Sequence, residues 1–147
     1  MLVRAEVNPK YKEIEVHVCG GQKDKKVTTL VSELSKYLNQ EFYGQDENGV
    51  RTVLNPLDVI SFFASGQKVY ARTGKGIFFI QKKLYELEEQ MDPRNFFRIS
   101  KSEIINLKKI EKLDMSLSGT IRVILKDGSE TYTSRRNVVK LKKTLGI

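Results

Sequence analysis

Polar and apolar residues alternate at the start of the chain. Val3, Ala5 and Val7 are set against Arg4 and Glu6, and Ile14, Val16 and Val18 against Glu15 and His17. A period of two predicts half-buried strands, with "NPKYKE" as the turn between them. "GGQ" then interrupts the chain before Asp24, a suitable helix N-cap. Val27, Leu30, Val31, Leu34, Tyr37 and Leu38 follow at spacings of three and four, which predicts an amphipathic helix over 24–39.

After "YGQDENG", a predicted polar loop, the pattern changes to short strands: "VRTVL" (50–54), "DVISFFA" (58–64), "KVYART" (68–73) and "GIFFI" (76–80). "TGKG" supplies a hairpin turn between the last two. Leu84, Leu87 and Met91 lie at helical spacing over 81–91, closed by "DP". Strand patterns resume with "FFRI", "EIINL", "IEKLDM", "TIRVILK" and "ETYTS". "LKDGSE" is the clearest turn, because Asp-Gly readily takes the positive φ that a tight hairpin needs. The final "RRNVVKLKKTLG" predicts a short helix offering Val138, Leu141 and Leu145 to the core. The expected class is α+β, mainly β, with a small β-β-α segment over 1–41 ahead of a β-rich domain over 42–147.

At 147 residues the chain is long enough to bury a real core. No run approaches the ~18 apolar residues of a membrane span, and the mixed, charged N-terminus does not read as a secretory signal. A lone cysteine, Cys19, forms no internal disulfide, so a reducing compartment, the cytoplasm, is expected. Charge changes the picture further. Residues 1–93 hold 13 Lys/Arg and 13 Asp/Glu, whereas residues 94–147 hold 13 Lys/Arg and 5 Asp/Glu. The whole +8 excess therefore lies in the last third. Such a field attracts polyanions, nucleic acid first and anionic membrane second. The plain alternative is a solubilising surface.

Catalytic chemistry is sparsely supplied. His17 and Cys19 stand two apart on one face of a predicted strand, with no further ligands to complete a metal site; a Cys–His dyad is conceivable, but a solvated strand edge is the plainer reading. "TGKG" lacks the spacing of a phosphate-binding loop. Asp58 and the "ELEE" run (86–89) read as isolated surface carboxylates. No enzyme activity, cofactor, metal or small-molecule substrate is expected. The basic part must instead present its charge from strand ends and loops: "SGQK" (65–68), "RISKS" (98–102) and "TSRRN" (133–137). Each sets Ser, Gln or Asn beside cations. Lys and Arg reach phosphates and guanine edges, Asn and Gln pair with adenine, and Ser holds phosphate.

The stretches "FFRISKSEIINLKKI" and "KDGSETYTSRRNVVKL", in that order and about twenty residues apart, resemble a LytTR-type DNA-binding domain over roughly residues 50–147. The resemblance implies a stack of small β-sheets with short helices, found in bacterial transcription regulators, that reads two successive major grooves of double-stranded promoter DNA through loops. It places base reading on Lys101, on Arg136 and, shared between them, on Gln67 and Lys68. It places phosphate contact on Arg98, Ser100, Ser102, Lys108 and Arg135. Some relatives have Asn or His where Lys101 stands, and a lysine favours the O6/N7 acceptors of guanine. Asn106 also matches, either as a DNA contact or as a polar residue fixing a strand end. Many response-regulator relatives carry a receiver domain in front, which needs more than 100 residues. The forty-odd residues ahead of the match are too few, so the chain resembles stand-alone members, often paired with a membrane-protein inhibitor. Homodimer formation through residues 1–41 is expected. The competing readings are a non-specific nucleic-acid binder and a module whose basic face docks on an acidic partner or membrane surface.

Overall fold

The computed structural model describes residues 8–10, 15–21, 25–38 and 42–147. The chain divides into two compact units, residues 1–39 and 40–147. In the first, the three-and-four spacing forms helix α1, Lys25–Leu38. The predicted strand over 3–7 and the Asp24 cap lie outside the described residues. The second predicted strand is not formed. Residues 15–20 have no regular structure, and Val16 is 53% exposed. Alternation alone does not make a strand, because extended backbone is held by ladder hydrogen bonds to a neighbour. No segment pairs with it among the described residues.

The second unit opens on a strand where a loop was expected. β1, Phe42–Gln45, covers much of the "YGQDENG" segment, burying Phe42 and Gly44 and turning Tyr43 outward. The inward residue is a glycine because the backbone is closely approached. A Cβ at Gly44 would lie 2.6 Å from Leu54 Cδ1 and 2.6 Å from Phe78 Cβ. Asp46 Oδ1 then accepts from Asn48 N at 2.9 Å and Val50 N at 2.8 Å, turning the chain into β2, Arg51–Leu54.

β3 (Val59–Ser65), β4 (Lys68–Thr73), β5 (Gly76–Ile80), β6 (Phe96–Ser100) and β7 (Glu103–Asn106) follow the predicted strands within a residue or so. With β1 and β2 they make a seven-stranded sheet in the order β2-β1-β5-β4-β3-β7-β6, every neighbouring pair antiparallel. β8 (Ile110–Asp114), β9 (Arg122–Leu125) and β10 (Glu130–Tyr132) make a second, three-stranded antiparallel sheet. Two short helices complete the unit, α2 (Leu84–Gln90) and α3 (Val138–Leu145).

The large sheet is buried on both faces at β3, β7 and β6. One face sets Phe62, Val69, Ile80, Phe96 and Ile104 against Leu84 and Leu87 of α2. The other sets Phe97, Ile99 and Ile105 against Val123 and Leu125 of the small sheet and Leu141 of α3. Consecutive pairs such as Phe96/Phe97 and Ile104/Ile105 divide between the two cores, as a period of two requires. The runs "FF" and "II" are thus signs of strands covered on both sides. Leu141 is the one fully buried residue of α3. Replacing it with Ala should cost about 2–5 kcal/mol, read as a lower urea midpoint at unchanged slope.

Candidate nucleic-acid interface

β3 ends and β4 begins at the turn 65–68, where Gly66 takes φ +61°. β6 ends and β7 begins at the turn 100–103. Because β3 pairs with β7, with Phe63 opposite Glu103, both turns lie at the same end of the large sheet. A direct bond joins them, from Ala64 N to Ser102 O at 2.8 Å. The third segment, 134–137, runs along the outer edge of β6. There Ser134 N donates to Ile99 O at 3.0 Å, and Asn137 Nδ2 donates to Arg98 O at 3.0 Å. Three stretches that lie far apart in the chain therefore form one strip across the sheet end.

The side chains on this strip differ in what they do. Gln67, Lys68, Lys101, Ser102, Arg135 and Arg136 are exposed, and Ser100 is half-buried. Lys68 Nζ stands 5.6 Å from the centre of the Phe79 ring, a cation–π contact that steadies its stem. Ser100 Oγ and Ser102 Oγ lie 3.3 Å apart, and Ser100 Oγ also accepts from Ser102 N at 3.2 Å. The side chains of Lys101 and Arg136 form no hydrogen bond or ion pair among the described residues. They are free to meet a ligand.

Arg98 is differently placed. A bulge between Arg98 and Ser100 tucks Ile99 into the core, while Arg98 lies opposite Ile104 on the α2 side of the sheet. Its Nε donates to Ser100 O at 2.7 Å and its Nη2 to Lys101 O at 2.6 Å. Its Nη1 meets Glu88 Oε2 of α2 at 3.0 Å. The "ELEE" run is accordingly not a set of isolated carboxylates. Glu88 is ion-paired, and Glu86 caps α2 by accepting from Lys83 N at 2.8 Å. Lys108 belongs elsewhere. It follows the far end of β7 in a 3-10 turn, Leu107–Lys109, away from the strip.

Two polar residues that composition left ambiguous are resolved by their contacts. Asn106 is 1% exposed; its Nδ2 donates to Val59 O at 2.8 Å and its Oδ1 accepts from Lys108 N at 3.0 Å. It fixes the end of β7 and is out of reach of DNA. Asn137, read from sequence as part of a base-reading patch, turns inward. His17 pairs with exposed Glu15 at 3.0 Å, and Cys19 is exposed. Among the described residues no group of three or more His, Cys, Asp or Glu is placed to hold a metal ion. No described helix is long and apolar enough to cross a membrane. Two carboxylates outside the strip are held below their ordinary range. Asp92 is held low mainly by the Arg94 side chain, and Asp114 by the Ser116 hydroxyl.

An antiparallel sheet, doubly covered at β3, β7 and β6 and carrying a basic rim of strand-end turns, defines a β-rich module. Its two helices, α2 and α3, are separated by five strands, so residues 42–147 contain no helix-turn-helix pair. The LytTr DNA-binding domain model matches residues 50–146, and the chain belongs to that family. Two Staphylococcus aureus proteins described as uncharacterized HTH-type transcriptional regulators, from strain NCTC 8325 / PS 47 and from bovine strain RF122 / ET3-1, are 45% and 44% identical to it. Each match covers 65% of this chain and 64% of the relative, so the chain spans a little under two thirds of their length. A solved LytTr DNA-binding domain from Bacillus cereus shares the fold, with a TM-score of 0.69 at 19% identity over 73% of this chain and 97% of that one. The predicted stack of small β-sheets with short helices is the fold observed.

Truncating Asn106 to Ala leaves the Val59 carbonyl and the Lys108 amide without their buried partner. The variant should lose about 1–3 kcal/mol in chemical denaturation. Its relative preference among DNA sequences should not change.

Proposed function

We propose that this chain is a sequence-specific regulator of transcription that binds double-stranded promoter DNA through the strip of turns. The observation that carries the reading is the convergence of 65–68, 100–103 and 134–137 on one end of one sheet. Each offers exposed cations next to hydrogen-bonding side chains. A surface that only solubilises has no need of that convergence. Neighbouring strands lie ~4.8 Å apart, so the strip from β4 to the 134–137 segment crosses about 20 Å. With long side chains at both ends, that width suits contact with two successive major grooves, which lie about 34 Å apart.

Within the strip, Lys101, Arg136 and the Gln67/Lys68 pair read base edges, and Lys101 selects guanine through O6 and N7. Arg135, Ser100 and Ser102 hold the phosphate backbone. Lys108, beyond the far end of β7, has no share in this surface. The protein works in the cytoplasm and uses no cofactor. Residues 1–41 serve assembly: their seven Lys/Arg and six Asp/Glu nearly cancel and add little attraction for phosphate. Pairing two copies doubles the reading turns and makes the second contact intramolecular. A membrane-protein inhibitor is a further partner.

Binding to a selected promoter duplex should exceed random duplex by roughly a thousandfold, with a log–log salt slope of about −5 or steeper. Arg136→Ala should cost about 1–3 kcal/mol and relax preference at one base pair. Arg135→Ala should weaken every sequence alike and lower the salt slope by about one. Equal losses on promoter and random DNA for both variants would refute the division of roles. Equal affinity of the unaltered protein for both duplexes would leave a non-specific binder.

A fragment of residues 42–147 should keep its one-site preference in a fluorescence titration. It should lose about tenfold or more on a two-site operator. The full chain should elute as a dimer, or become one on DNA; undiminished two-site affinity of the folded fragment would remove the assembly role.

A further inference from the structure

Five consecutive carbonyls around the β6–β7 turn are engaged from inside the protein. Arg98 O accepts from Asn137 Nδ2 at 3.0 Å, and Ile99 O from Ser134 N at 3.0 Å. Ser100 O and Lys101 O accept from the Arg98 guanidinium at 2.7 and 2.6 Å. Ser102 O accepts from Ala64 N at 2.8 Å. The donors come from β3, from β6 itself and from the 134–137 segment. Asn137 Nδ2 also reaches Ile99 O at 3.4 Å. Arg98 is in turn held by Glu88 of α2 at 3.0 Å.

We infer that Arg98 and Asn137 are positioning residues that fix Lys101 and Arg136 relative to each other, so that two turns read DNA as one unit. Arg98 clamps the backbone of the residue that carries the Lys101 side chain. Asn137 is the chain neighbour of Arg136, and its amide ties that residue's segment to the start of the same turn. A base-reading side chain needs placement to within about 0.5 Å, which its supporting contacts must supply. Attraction to phosphate tolerates far looser geometry, since it depends on net charge near the backbone. Loss of the brace therefore erodes selectivity and leaves general attraction intact. The engaged carbonyls have a second effect. Their partial negative charge is met by donors within the protein, so it opposes an approaching phosphate less.

This role rests on DNA reading by Lys101 and Arg136, and one experiment separates the two. The full-length chain is used to enrich duplexes from a random-sequence pool, and the enriched duplex and a random one are titrated over a range of salt. Asn137→Ala and Arg98→Lys should each weaken the enriched duplex about tenfold, the scale of one lost base contact. Random-duplex affinity and the salt slope should stay as they were, because neither change alters charge. Lys101→Ala and Arg136→Ala should be non-additive on the enriched duplex and closer to additive when Asn137 is Ala. A residue that only supports the fold would lower the thermal midpoint without moving that coupling. Should Asn137→Ala fail to fold, Arg98→Lys decides. That variant keeps the charge but lacks the planar fork that reaches two carbonyls and a carboxylate at once. Unchanged selectivity in the folded variants overturns the brace while leaving DNA reading in place. An Arg98→Lys loss shared equally by both duplexes makes Arg98 a phosphate contact and also overturns it. A pool that yields no enriched sequence overturns the reading of DNA, and the brace with it.

Discussion

Phe96 and Ile104 face one way, Phe97 and Ile105 the other, and both cores of the β unit are anchored on these four side chains. β6 and β7 are therefore the shared wall between two layers. One layer is closed by α2, the other by the small sheet and α3. Displacing either strand disturbs both cores at once, so the turn between them is held by both. That is a suitable place for a surface that must hold its shape against a charged partner.

From that wall the recognition strip follows by short steps. The bulge at Ile99 lets one side chain drop into the second core while Arg98 stays on the α2 side, within reach of Glu88. The guanidinium then folds back over its own turn. The outer edge of β6 is covered by the 134–137 segment, so one sheet edge is closed by the same short segment that supplies cations. Adjacent residues divide between closure and exposure: Ser134 and Asn137 bind backbone, while Arg135 and Arg136 between them remain exposed.

Much of this was legible in the sequence because strands buried on one or both faces leave a strong pattern, and the turns carry Gly, Asp-Gly or Ser. β1 was not, because its inward position is Gly44, which has no side chain for hydropathy to register. Residues 15–20 failed in the opposite way, with alternation but no pairing neighbour among the described residues. The site was legible as a list of residue types at strand ends. What it lacked was direction. Asn137 and Arg136 are adjacent and both polar, yet one faces the protein and the other solvent, and only the neighbouring carbonyls of β6 decide which. Glu88 and Arg98 are ten residues apart across a helix and a loop, so no local spacing reveals their pairing.

The separation of duties along the strip bears on how such a protein changes its target. The side chains of Lys101 and Arg136 make no bond within the turns, whereas Arg98 and Asn137, which brace them, fold back onto backbone carbonyls. A substitution at Lys101 or Arg136 therefore leaves the backbone frame as it was. On the base-reading roles proposed for these two side chains, a new operator is reached by exchange at the exposed tips, with no intermediate that must first survive a loss of fold. The frame acts as a fixed type-holder in which the letters are exchangeable.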